Sequence, residues 1–231
     1  AASILAMSNR QLSTYLKTSR YAKRFHASDA VRKMTIFKKI VSLYLAPLKN
    51  KQMNPNQALW EKGDFTRLAE TMRESGSALV TKLGIKKGLK VLDLGCGDGT
   101  TAIPAAKLGA DVTGVDIARN LVEAGNKRIK EEGLNNITIQ LGDATNLEEL
   151  KDESFDISVT IFGAMFAPKP FDVAKELVRV TKKGGKIVMG NWIPGDPTLV
   201  AQILKISSAY TPAPPEGFIS PMLWGVESNI T

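Results

Sequence analysis

The chain has one cysteine and one histidine among 231 residues. A single thiol builds no disulfide framework, so the expected setting is reducing and cytoplasmic. That thiol, Cys96, lies in a glycine turn and reads as a small apolar filler rather than a nucleophile. The histidine, His26, lies in a basic front segment and reads as surface. No residue stands out as a general base, and no metal site is expected. No apolar run approaches the roughly 20 residues that span a bilayer. Positive charge is scarce where a nucleic-acid enzyme would carry it. The net charge is +8, yet residues 1–60 hold 11 Lys and Arg against one acid, Asp29, whereas residues 61–231 hold 20 against 22. Enzymes of nucleic acid spread positive charge around the active-site mouth; the motif-bearing region here is nearly neutral.

What is present centres on Lys90 to Asp116, KVLDLGCGDGTTAIPAAKLGADVTGVD. Val91-Leu92-Asp93-Leu94 is a short apolar run ended by glycines, the pattern of a buried parallel strand. Gly95, Gly97 and Gly99 follow at once, and Thr100–Leu108 carries helical spacing. Val112–Val115 reads as a second strand closed by Asp116. This β-turn-α-β unit with an acid at its second strand tip suits a nucleoside. Glycine lets backbone approach a ligand closely, and Asp116 can accept from both ribose hydroxyls. A dinucleotide turn wants G-x-G-x-x-G, but Thr100 stands where the third Gly belongs. Asp93 and Asp98 also flank the turn with negative charge, which would repel a pyrophosphate; Asp93 would suit a cation.

Asp-x-Gly-x-Gly-x-Gly with Asp116 downstream resembles the signature of class I S-adenosylmethionine-dependent methyltransferases. The resemblance covers about residues 54–228. It is strongest toward the small-molecule branch that includes the ubiquinone- and menaquinone-biosynthesis enzymes. It implies an α/β fold: a Rossmann-like, doubly wound, mostly parallel sheet with helices on both faces. It implies S-adenosylmethionine as cofactor and in-line transfer of its methyl group to O, N or C of a small-molecule acceptor. Gly95, Cys96 and Gly97 fall in the family's cofactor turn, beside Asp93 and Asp116. Ile117 would lie against the adenine face. Asp143, followed by Ala144, matches the family acid that meets the adenine amino group; a helix N-cap is the other reading of Asp143. Phe155-Asp156-Ile157 resembles the start of the family's fourth strand. At its tip, Phe162 would meet the methionine end of the cofactor, and Met165 and Phe166 would face the acceptor. Trp60 and Phe65 match the segment that folds over the site as a lid. The Asn/Asp-Pro-Pro-Tyr-type motif of nucleic-acid base N-methylation is absent there. LVRVTKKGGKIVM resembles the family's L-x-R-[VL]-L-[KR]-P-G-G stretch, with Lys183 in place of Pro. The run TPAPPEGFISPMLWG reads as a substrate loop, with Phe218, Met222, Leu223 and Trp224 as its apolar members.

Further helices are expected at Thr66–Leu83 (Leu68, Met72, Leu79 and Val80 inward), 119–132, 171–181 and 197–210, and further strands at 137–141, 157–162 and 186–192. That makes five strands where the family has seven. The sequence thus reads as a methyltransferase domain, 53–231, lacking its last hairpin, in a fragment of a longer reading frame with no initiator Met. Residues 1–52 form a basic extension, favoured as a solvated segment outside the fold. A weak membrane-surface anchor and an organelle transit segment are the other readings. Three rival functions remain at this point. They are an RNA methyltransferase using the basic segment, a non-catalytic S-adenosylmethionine-binding protein, and a nucleotide-dependent oxidoreductase. The sequence says nothing of oligomeric state.

Overall fold

A computed structural model describes residues 55–197, 199–210 and 219–229. The basic segment 1–52 and Phe218 lie outside the described residues. Two helices lead in, α1 (Pro55–Trp60) and α2 (Phe65–Lys82). Then come β1 (Lys90–Leu94), α3 (Ala102–Lys107), β2 (Asp111–Asp116), α4 (Arg119–Glu131) and β3 (Ile137–Leu141). The chain continues through β4 (Phe155–Ile161), a 3-10 turn at Ala164–Phe166, α5 (Pro170–Val180) and β5 (Thr181–Gly190). It ends with α6 (Leu199–Ser208) and short 3-10 turns at Pro221–Gly225 and Glu227–Asn229.

The five strands form one sheet in the order β3-β2-β1-β4-β5, every pairing parallel. The order reverses direction between β1 and β4, which opens a crevice at the carboxyl ends of those strands. Alternation along β1 assigns its residues to two cores. Val91 joins Ala102, Ile103, Ala105, Ala106, Val112 and Ile129 under α3 and α4. Leu92 and Leu94 join Val115, Val173, Leu177 and Val180 under α5. Burying a side chain of this size contributes about 1.5–3 kcal/mol, so both faces of β1 anchor the strand that carries the glycine turn. Among the described residues, no helix is long and apolar enough to cross a membrane.

Two expectations are corrected. Leu68 is 56% exposed, although the spacing placed it inward. The inward side of α2 instead runs through Gly76 and Val80, the helix's two buried residues. Gly76 is invisible to a hydrophobic pattern. The fifth strand begins at Thr181 rather than Lys186, because β5 pairs before and after a register shift: Phe155 faces Thr181 and Ile157 faces Lys186. Gly184, at φ 77°, lets the intervening residues loop out. The strand then ends at Gly190, short of Trp192.

Candidate functional site

The glycine turn folds by backbone pairing across the strand tips. Gly95 and Cys96 both donate to the Val115 carbonyl, at 2.7 and 3.2 Å. Gly97 N–H donates to Asp116 Oδ2 at 2.8 Å, and Ala118 N–H to Asp116 Oδ1 at 2.9 Å. The turn and the acid are thus a single unit, with both carboxylate oxygens held by backbone N–H groups. The three glycines, all at positive φ, serve different ends. A Cβ on Gly95 would stand 2.7 Å from Gly163 Cα, and one on Gly99 would press on Ile103 and Ile139. These two permit close packing. A Cβ on Gly97 would meet nothing within 4 Å, so Gly97 is the one that leaves free space beside Asp116.

Two buried carboxylates, Asp93 and Asp116, feel each other's charge in this region. Asp93 is 2% exposed, and its Oδ2 is buried without a partner. Burial, and then the charge on Asp116, push its carboxyl up to about 7, against one backbone N–H from Ala102. Burial also raises Asp116, but the N–H groups of Ala118, Gly97 and Ile117 hold it down. An unpartnered buried carboxylate oxygen is costly and fits a positively charged group brought to the turn. Cys96 is buried, its thiol bonded to the Gly97 carbonyl and its Sγ lying where a Cβ on Gly114 would go. Burial pushes the thiol far up, so it fills space. Asp98 does not repel anions as its charge suggested: it is buried between Arg73 and Arg128. The exclusion of a pyrophosphate loses that support and rests on Asp93 and on the glycine spacing.

Beyond β3, Asp143 Oδ1 accepts from the Thr145 N–H at 2.9 Å and the Thr145 hydroxyl at 2.8 Å. Asp143 and Asn146 then close an isolated bridge. The residue shapes a tight turn rather than capping a helix, and it is half-buried, as are Ala144 and Ile117.

The other rim is aromatic. Phe162, just past β4, holds φ at 53°, a left-handed conformation that aromatic residues rarely adopt. Its ring stacks on Trp192, centroids 4.0 Å apart and planes 16° apart. Trp192 escaped the sequence reading, where it was only the end of a strand. Trp60 packs on Phe65 and on Phe166, at 4.9 and 5.0 Å between centroids. Asn56 donates to the Phe166 carbonyl at 2.9 Å, Asn120 to the Gly63 carbonyl at 3.2 Å, and Arg119 N–H to Glu61 at 3.1 Å. These contacts tie residues 56–63 to both sides of the crevice. Trp224 packs half-buried against the α5 core, and its carbonyl accepts from Asn191. Met165 is 2% exposed, so of the pair at 165–166 the rim presents Phe166. The Gln57 side chain and the Arg119 N–H hold Glu61 below its ordinary range, which disfavours it as a proton acceptor. Among the described residues, no group of three or more His, Cys, Asp or Glu is placed to hold a metal.

Residues 92–189 match the family described as methyltransferase domain. An uncharacterized protein of Mycobacterium tuberculosis is 34% identical over 179 residues, which cover 76% of this chain and 63% of that protein. The chain thus spans less than two thirds of that relative. A demethylmenaquinone methyltransferase of Paenarthrobacter aurescens is 37% identical over 114 residues, 49% of this chain and 43% of that enzyme. A solved S-adenosylmethionine-dependent methyltransferase from Aquifex aeolicus has TM-score 0.55 at 20% identity, covering 72% of this chain and 84% of that one. That likeness establishes the Rossmann-like α/β fold expected from the sequence, with every described strand parallel.

Proposed function

We propose that the chain is an S-adenosylmethionine-dependent methyltransferase acting on a small-molecule acceptor. The observation that carries this reading is the unit of Gly97, Asp116 and Asp93: free space over a glycine, a paired carboxylate at the β2 tip, and an orphaned buried carboxylate oxygen. The family match across residues 92–189 supports it. Asp116 would take the ribose hydroxyls, with Ile117 against the adenine and Asp143 and Ala144 near its edge. Asp93, Gly95, Cys96 backbone and Gly97 would face the amino-acid end, with Phe162 beside it. When bound, the cofactor supplies a methyl group carried on a positively charged sulfur, transferred in line to the acceptor.

The chain's own contribution is alignment and exclusion of water. Trp60, Phe65, Phe166 and Trp224 would wall the acceptor side, and Met165 would support that wall from beneath. No side chain described here is placed as a general base, which suits an acceptor that arrives nucleophilic. The single thiol suits a reducing, cytoplasmic setting, and the nearly neutral domain disfavours nucleic acid as acceptor. Calorimetric titration with S-adenosylhomocysteine and with NADH tests the reading. Heat from the first alone is expected; heat from NADH alone would return the turn to dinucleotide binding. Turnover to S-adenosylhomocysteine across a panel of metabolites separates an enzyme from a binding protein.

A further inference from the structure

One buried charge cluster stands apart from the bonds that join Gly97 to Asp116 and from the aromatic rim, although the Thr100 hydroxyl of the turn donates to it at 3.4 Å. Asp98, 1% exposed, follows Gly97 directly. Arg73 Nη2 from α2 donates to its Oδ2 at 2.8 Å. Arg128 from α4 lies 3.3 Å from its Oδ1 through Nη1, which also donates to the Asp98 carbonyl at 2.7 Å. Both helices reach the turn at a glycine. A Cβ on Gly76 would stand 2.5 Å from the Thr100 carbonyl oxygen, and a Cβ on Gly125 would stand 3.3 and 3.4 Å from Asp98 C and Cα. In each helix the arginine is three residues from the glycine, hence on the same face. The glycine brings the helix against the turn's backbone, and the arginine closes over its carboxylate.

A tie between helices would need one arginine. Here two converge on one carboxylate, burial lowering the pKa of Arg128 while Asp98 pushes it up and Arg73 pushes it down, and Arg73 Nη1 is buried without a partner. Cationic groups are crowded where one would neutralise the acid, and what both grip is the residue after Gly97.

We propose that Asp98, clamped by Arg73 and Arg128, is a positioning residue that fixes the 97–100 turn with Gly97 N–H on Asp116 and so sets affinity for the adenosyl ligand. This rests on the reading of the turn as the cofactor site. The clamp touches no reacting atom, so its loss acts on binding and leaves turnover at saturation near its original value.

The test compares wild type, Asp98→Asn, Arg73→Gln and the milder Arg73→Lys. In ligand-free protein, amide hydrogen exchange should rise about 10-fold in peptides spanning 95–102 in the first two variants, with β3 and α5 unchanged. Affinity for S-adenosylhomocysteine should fall about 10-fold, KM for S-adenosylmethionine should rise in step with kcat little changed, and Arg73→Lys should recover most of the loss. Unchanged exchange and affinity would overturn the clamp. A rise in exchange spread evenly over the domain would overturn it too, marking the cluster as general support. No S-adenosylhomocysteine binding by the wild-type protein would instead sink the cofactor reading and the affinity claim with it, while exchange would still decide whether the clamp holds the turn.

Discussion

Residues 93–118 and the aromatic rim around Phe166 meet at one end of the sheet, but they are built from different materials. The first is backbone and carboxylate, folded within a single βαβ unit. The second is a set of rings drawn from segments at 60–65, 162–166, 192 and 224. In the first, Gly95 crosses the Gly163 backbone and Gly97 leans on Asp116, so a change of residue is a change of fold or of binding. In the second, side chains supply the surface, and a ring can be exchanged while the sheet beneath stays as it is. One half is suited to a ligand that does not vary, the other to an acceptor that can.

Substitutions can pull this contrast apart. The largest effect belongs to Gly95→Ala, which drives a methyl into Gly163 backbone at a left-handed position. It should cost about 3 kcal/mol or more in denaturant unfolding. Gly97→Ala, with open space around it, should cost only about 1 kcal/mol yet weaken S-adenosylhomocysteine binding; equal losses of stability in the two would erase the distinction between packing glycine and cradle glycine. Asp116→Ala should weaken that binding about 100-fold or more, since two charge-assisted bonds of roughly 1.5–3 kcal/mol each are lost. Calorimetry at a single pH suffices, and affinity within 3-fold of wild type would remove Asp116 from the site.

Asp93 offers a test in pH. Its folded pKa lies above its unfolded one, so its contribution to stability is full below the ordinary carboxylate range and is lost as pH rises through about 7. Wild type should therefore lose on the order of a few kcal/mol between pH 4 and 7 relative to Asp93→Asn. Parallel curves for the two proteins would show that the carboxylate is not strained. A cationic ligand favours the ionised form, so wild-type affinity for S-adenosylmethionine should weaken below pH 7. The smallest effect is on the rim. Trp60→Ala should raise acceptor KM about 10-fold and leave S-adenosylhomocysteine affinity unchanged; a matching loss of cofactor affinity would join the two halves into one.

The same contrast governs what could be read in the sequence. The strands from β1 to β3 were legible within a residue, because buried parallel runs bounded by glycine have few other solutions. So was the turn with Asp116, whose members lie within 24 positions of one another. Asp98 was misread, because its charge is written in the chain but its partners stand 25 and 30 positions away. The inward face of α2 was misread for a related reason: it is set by a glycine fitting the Thr100 backbone, which no hydrophobic period reveals. Trp192 and its stack on Phe162 were missed, since the left-handed turn that brings the rings together leaves no mark on residue type. Looping-out within β5 had a weak signal in Gly184-Gly185, which the strand pattern on either side obscured.

The three tryptophans of the chain, Trp60, Trp192 and Trp224, all stand on the aromatic rim or against it, and none lies under α3 and α4. Intrinsic emission from this protein is therefore a local optical gauge. Trp192, stacked on Phe162, reports the edge of the rim nearest the proposed cofactor, and Trp60, packed on Phe166, reports the opposite side, so light and heat, recorded together in one titration, would tell how far along the rim a compound reaches.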